Sequence, residues 1–224
     1  MKKTLIGLFI AMFSYGVASA EAGLSIGVSG VAGIFGASGS EKDIGSDGTT
    51  TGADEFQSRS EYSGFTYGSI FVEGSMGPIF VGVDYVPGEI ETEESSTTVG
   101  DKTTSATSTQ VTNTVKVGFD AYYTSYIGIK IFEDAYIKVG AASVDVTTKE
   151  SLGTGSTYGN TSLDGGMVGA GVNKSLDNGM FIRAEVNYTE FDGVKLISEN
   201  NSVNEISLDS LDGLAGKISI GKTF

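Results

Sequence analysis

The chain has 224 residues, with 33 Gly, 2 Pro, no Cys, no His and no Trp, and a formal charge of −14. The excess of acid disfavours nucleic acid as a partner. The absence of Cys removes disulfides, and a hydrophobic content of 39 % is too low for a bundle of membrane helices but suits alternating strands.

The chain opens Met1-Lys2-Lys3-Thr4, continues through a mostly apolar run from Leu5 to Val17, and reaches Ala18-Ser19-Ala20. A basic start, a short apolar run and an A-x-A end predict a secretory signal peptide over residues 1–20, leaving 21–224 as one domain. No Cys stands near the cleavage site, which excludes a lipid-anchored precursor. Removing Lys2 and Lys3 from 14 basic residues leaves 12 against 28 acidic ones, a formal charge of −16. No later stretch is apolar enough for a transmembrane helix.

A first strand is expected over Leu24–Phe35, with Leu24, Ile26, Val28, Ala32 and Ile34 on one face and Ser25, Gly27, Ser29, Val31 and Gly33 on the other. Residues 36–61 read as a long polar loop. The second strand, about Tyr62–Glu73, has an ambiguous phase: Phe65, Tyr67 and Phe71 compete with Ile70 and Val72. A turn over residues 74–78 leads into Ile79–Val86, where Ile79, Val81, Val83 and Tyr85 oppose Phe80, Gly82, Asp84 and Val86. Residues 87–111 form a second loop, acidic from Glu89 to Glu94 and then rich in Ser and Thr.

The fourth strand is expected to hold one phase from Val115 through Val117, Phe119, Ala121, Tyr123, Ile127 and Ile129 to Ile131. Lys116, Asp120, Tyr122, Thr124 and Lys130 take the other parity. Such a run exceeds the roughly 9–11 residues that cross a bilayer, so its first part is expected to project outside. Glu133-Asp134 turns into a fifth strand, Ala135–Val146, and residues 147–161 make a third loop. From Asp164 to Phe191 the chain reads as a hairpin. Val168, Ala170 and Val172 alternate before Asp177-Asn178-Gly179, and Met180, Ile182, Ala184, Val186 and Tyr188 alternate after it. Asn-Gly accepts the positive φ of tight turns. Residues 192–207 are a fourth loop, and a last strand covers about Leu208–Phe224.

The connections thus run long, short, long, short, long, short, long. Eight antiparallel strands with that rhythm put every short turn on one side and every long loop on the other. This is the layout of an eight-stranded up-and-down transmembrane β-barrel with short periplasmic turns and long extracellular loops. In such a barrel the apolar parity meets lipid and the other parity fills the lumen.

Over residues 21–224 the chain resembles the small outer-membrane barrels: the OmpA-type transmembrane domain, OmpX and the opacity-type proteins. Its final Ile218-Ser219-Ile220-Gly221-Lys222-Thr223-Phe224 is similar to the signal read by the barrel-assembly machinery, with Ile218, Ile220 and Phe224 carrying the pattern. Lys222 stands where those families often have an aromatic. The resemblance implies a Gram-negative outer-membrane location, contact with lipid and lipopolysaccharide, and a lumen plugged by charges.

The inward parity collects Asp84, Lys116, Asp120, Lys130, Lys138, Arg183, Glu185 and Lys217. An eight-stranded barrel is just wide enough to be filled by side chains, so these charges are expected to pair, centred on Arg183 and Glu185. The acidic loop Glu89–Glu94, with Asp43, Asp47, Asp54 and Glu55, offers weak oxygen ligation for divalent cations, although no calcium-loop pattern is present; no metal or cofactor site is assigned. Aromatics near strand ends, including Tyr62, Tyr85, Tyr126, Phe132, Tyr136, Tyr188 and Phe224, suit interfacial girdles. Without His or Cys the usual acid–base and nucleophile arrangements are missing, so a non-enzyme with a structural or surface-interaction role is expected. Two alternatives stay open. One is a porin-like or OmpW-like transporter of small solutes. The other is a soluble periplasmic ligand-binding barrel, which needs the apolar face inside.

Overall fold

The computed structural model describes residues 22–43, 55–92, 94–101, 109–153, 157–200 and 205–224. The signal peptide expected over residues 1–20 lies outside them, as do Asp47 and Asp54. The strands are β1 (Ala22–Asp43), β2 (Glu55–Met76), β3 (Ile79–Tyr85), β4 (Ile90–Glu91), β5 (Ser95–Asp101), β6 (Thr109–Lys130), β7 (Ala135–Leu152), β8 (Thr161–Ser175), β9 (Met180–Phe191), β10 (Val194–Ile197) and β11 (Glu205–Thr223).

Eight of these form a closed antiparallel ring in the order β1-β2-β3-β6-β7-β8-β9-β11, sealed by pairing of β11 with β1. The short β4 and β5 extend the wall on the β6 side, and β10 extends it beside β11. Closure leaves the turn-side part of the ring without an edge, whereas residues 55–69 of β2 are laddered to β1 alone among the described residues. The tight turns, and the pairing of Phe224 N–H to the Leu24 carbonyl at 2.8 Å, lie at one end. The long connections leave from the other.

Alternation with period two sorts the side chains. Every ring strand carries outward aliphatic residues: Ile26 and Val28, Ile70 and Val72, Ile79, Ile127 and Ile129, Ile137 and Val139, Val168 and Val172, Ile182 and Val186, and Ile218 and Ile220, exposed by 38–61 %. Inward positions of the turn-side half are mostly small, aromatic or charged, and those of the loop-side half are largely apolar. In the expected Asp177-Asn178-Gly179 turn, Asn178 and Gly179 both have positive φ, at 67° and 75°.

Aromatic rings of the inner face lie over a glycine at the paired position of the next strand. Phe71 covers Gly27, Phe80 covers Gly128, Tyr126 covers Gly82, Tyr136 covers Gly171 and Phe181 covers Gly221. The missing Cβ lets each ring lie flat against the wall. At Gly27 a Cβ would come within 3 Å of both the Phe71 ring, 1 % exposed, and the Ile220 carbonyl. Gly27→Ala is therefore expected to destabilise the barrel by about 1–3 kcal/mol through overpacking. Gly166→Ala, where a Cβ meets open space, is expected to change little. Urea unfolding in lipid vesicles reads both.

Two expectations are corrected and one open phase is resolved. The loops at 36–61, 87–111, 147–161 and 192–207 are partly laddered: β1 runs on to Asp43, β2 starts at Glu55, β5 pairs with β6, β7 runs to Leu152, and β10 pairs with β11. Beyond the apolar belt both faces of a hairpin meet water, so these Ser-, Thr- and Gly-rich strands carry no apolar alternation. The phase of β2 resolves with Phe65, Tyr67, Phe71 and Glu73 inward and Ile70 and Val72 outward. Finally, β6 does not hold one phase. Asp120 pairs with Asp145 but Tyr123 pairs with Ser143, so Ala121 and Tyr122 together oppose Val144. This β-bulge, with Ala121 at φ 49°, reverses the parity of the loop-side half.

Candidate functional site

The turn-side half of the lumen is filled by six buried charged groups, three of each sign. Arg183 on β9 reaches across to Glu73 on β2 as a bidentate pair, with guanidinium nitrogens 2.8 and 2.9 Å from the two carboxylate oxygens. Its guanidinium is surrounded by the rings of Phe71, Phe181 and Tyr136, 5.1–5.3 Å from their centroids. The Tyr126 hydroxyl donates to Glu73 at 3.2 Å, and the Tyr136 hydroxyl donates to Glu185 at 2.7 Å. Lys138 pairs with Glu185 at 2.5 Å, crossing β8 where Gly169 leaves room. Lys217 pairs with Asp84 and lies 3.8 Å from Glu185. Each carboxylate thus has a cation, and aromatic rings fill the space between the charges.

Of the residues expected in this network, the structure brings together Asp84, Lys138, Arg183, Glu185 and Lys217. It separates three others. Lys116 lies on the far side of the bulge and pairs with Glu91 at 2.5 Å. Asp120 shares that outward parity. Lys130 is exposed at the end of β6 beside the turn. Glu73, the partner of Arg183, was missed because the phase of β2 was undecided; counting by twos from Phe65, Tyr67 and Phe71 reaches it. Tyr126 and Tyr136, expected in an interfacial girdle, are instead buried in the lumen. Ile218, Ile220 and Phe224 are exposed on the outer side.

The loop-side half is different. Val144, Leu163 and Leu211 form an apolar cluster, joined by Phe35, Phe119, Tyr122 and Phe191. Phe119 reaches it because of the bulge. Beside this cluster lies a cavity of about 350 Å³, bordered below by Asp84, Lys138 and Lys217 of the charge plug.

Outside, on the loop-side extension, Glu89 and Glu91 meet Lys149 at 2.6 Å each. Hydrogen bonds from Lys116 and Lys149 hold the Glu91 carboxyl down at about 2, and those from Lys149 to Glu89 and Glu91 raise the lysine above its ordinary range. These carboxylates are engaged by lysines, and among the described residues no group of three or more His, Cys, Asp or Glu is placed to hold a metal ion.

No family model matches the chain, and no curated protein matches it. Solved structures do. The similarity is to outer-membrane barrels. The attachment invasion locus protein Ail of Yersinia pestis is 9 % identical, with 87 % of this chain and 99 % of that one covered and a TM-score of 0.34. The outer membrane protease OmpT of Escherichia coli is 9 % identical, covering 93 % and 99 %, with a TM-score of 0.46. The outer membrane protein OprG of Pseudomonas aeruginosa is 12 % identical, covering 92 % and 97 %, with a TM-score of 0.45. At such identities neither activity nor ligand carries over.

Proposed function

We propose that this chain is an exported protein of the Gram-negative outer membrane, closed to bulk solute flow, with a non-catalytic structural or surface-interaction role carried by its loop side. One observation carries the reading: polarity is inverted. Exposed aliphatic side chains circle the outside, while Glu73, Asp84, Lys138, Arg183, Glu185 and Lys217 are buried within. A soluble barrel needs the opposite arrangement, because its exterior is wet and unfavourable for a continuous apolar belt. A lipid-embedded barrel needs this one. The terminal Ile218, Ile220 and Phe224 fit insertion by the barrel-assembly machinery, and the loop side then meets lipopolysaccharide. The plug supports closure, since ions crossing the lumen must displace side chains that neutralise one another.

The test is expression in a Gram-negative host, fractionation, and electrophoresis with and without boiling, followed by planar-bilayer recording. The reading expects an outer-membrane protein that migrates faster unboiled and gives no stable current. A periplasmic protein without that shift overturns the location, and a steady large conductance overturns the plug.

A further inference from the structure

The lumen holds two sets of aromatic rings, and they differ in what covers them. In the plug, Phe71, Phe80, Tyr126, Tyr136 and Phe181 are at most 6 % exposed. Cations of the chain lie against four of these rings: Arg183 beside Phe71, Tyr136 and Phe181, and Lys138 over Tyr126 at 4.6 Å from its centroid. The second set lies above. Phe35 of β1, Phe65 and Tyr67 of β2, Tyr122 of β6 and Phe191 of β9 all line the cavity. They stand in an unbroken arc, each ring centroid 5.7–6.2 Å from the next. All five are only half-buried, so aromatic surface stays uncovered there. Among the described residues no Lys or Arg lies over any of them.

The cavity, of about 350 Å³, falls within the roughly 300–1,000 Å³ of small-molecule sites. Its rim includes Ser63, Gly64 and Glu91, which are exposed. Glu91 pairs with Lys116 and Lys149 on the loop-side extension, so the mouth opens to water beyond the apolar belt and not to lipid. At the floor Lys217 is matched by Asp84 and Lys138 by Glu185, so these charges cancel locally. Ring faces carry the negative side of the aromatic quadrupole. They attract a cation and repel an anion. A metal ion or a primary ammonium loses strong hydration on entry, and rings do not replace it. A trimethylammonium group differs: its charge is spread over methyl groups, its hydration is weak, and its methyls fit against ring faces.

We propose that the five-ring arc is an aromatic cage for a quaternary ammonium group, so that the cavity binds a choline-like organic cation entering from the loop side. The proposal rests on the plugged-lumen reading in one respect, that the plug is the cavity's floor.

The probe is choline, titrated calorimetrically into the barrel in nanodiscs of phosphatidylethanolamine and phosphatidylglycerol. These lipids carry no trimethylammonium group, and empty discs are the reference. The control is the carbon isostere dimethylbutanol, in which a neutral carbon replaces the nitrogen. The expected result is saturable binding of one choline per barrel, at least about tenfold tighter than the isostere. Tyr67→Leu and Phe191→Leu each keep apolar bulk and remove a ring. Each should weaken choline by about fivefold and leave the isostere within about twofold; if one variant loses its heat shift, the other carries the test. Glycerophosphocholine is the last arm. Binding of choline alone assigns the cage to a free organic cation, and binding of both extends it to choline headgroups. No saturable choline heat overturns the site. Equal affinity for choline and its isostere, or ring variants that weaken both alike, makes it a plain apolar pocket and overturns the cage. A barrel that conducts ions yet binds choline defeats the plug and not the cage, whereas a closed barrel that fails to bind defeats the cage alone.

Discussion

Glu73→Leu is expected to destabilise the folded barrel by about 3–5 kcal/mol, the scale of breaking a buried ion pair from one side. The substitution removes both carboxylate contacts of Arg183 and the acceptor of the Tyr126 hydroxyl. Arg183 is 5 % exposed, and the rings around it attract the cation without neutralising it. Lys138 and Lys217 stand nearby and add positive charge. The remaining acids, Asp84 and Glu185, are already engaged by those lysines. The guanidinium is therefore left in a confined space with nothing to balance it. Urea unfolding in vesicles measures the loss as a lower midpoint. The double variant Glu73→Leu/Arg183→Met removes both charges at similar volume, and it is expected to recover most of the loss. Equal destabilisation in the two variants would assign the cost to packing around Phe71 and Phe181 rather than to the unpaired charge.

Much of this architecture was legible in the sequence. Alternation in Leu24–Ile34, Ile79–Tyr85 and Met180–Tyr188 depends only on the pleat and on a solvent that differs between the two faces, so strand phase follows from the residues themselves. The rhythm of short and long connections gave the up-and-down order. What stayed hidden has three physical causes. Outside the apolar belt water lies on both faces, so the ladders at 36–43, 55–61 and 95–101 carry no period. In β2, aromatic rings on the inner face are as hydrophobic as aliphatic chains on the outer face. Residue type alone therefore could not tell Phe65 and Phe71 from Ile70 and Val72, and Glu73 was lost with the phase. The third cause is the bulge at Ala121–Tyr122, which leaves no mark in composition. Val115, Val117 and Phe119 look continuous with Ile127 and Ile129, yet the two groups face opposite sides of the wall. For the candidate site, five of the eight expected lumen charges meet in one network. The cavity above them arises from residues on nearly every strand, and no local pattern announces it.

The bulge yields the second large effect. Deleting Ala121 is expected to abolish the heat-modifiable barrel. Without the extra residue, the loop-side half of β6 shifts by one position, and every side chain there changes face. Phe119 leaves the cluster with Val144, Leu163 and Leu211, and Val115 and Val117 turn out with it. Lys116 and Asp120 turn in, toward a lumen whose own charges are already paired, and Lys116 abandons Glu91. Losing the apolar contacts costs on the order of 1–3 kcal/mol for a side chain such as Phe, and two uncompensated charges add several more. Together these approach the whole margin of about 5–15 kcal/mol by which a typical domain is stable. Ala121→Gly is the opposing case. It keeps the residue count, hence the parity, and relieves a left-handed conformation that costs a non-glycine residue about 1–2 kcal/mol. Its own entropic cost in a strand is about 0.5–1 kcal/mol, so the variant is expected to lie between neutral and about 1.5 kcal/mol more stable. The deletion and the substitution remove the same methyl group. Opposite outcomes at this one position, read by electrophoresis and urea unfolding, would establish that the residue is required for its length of chain and not for its side chain.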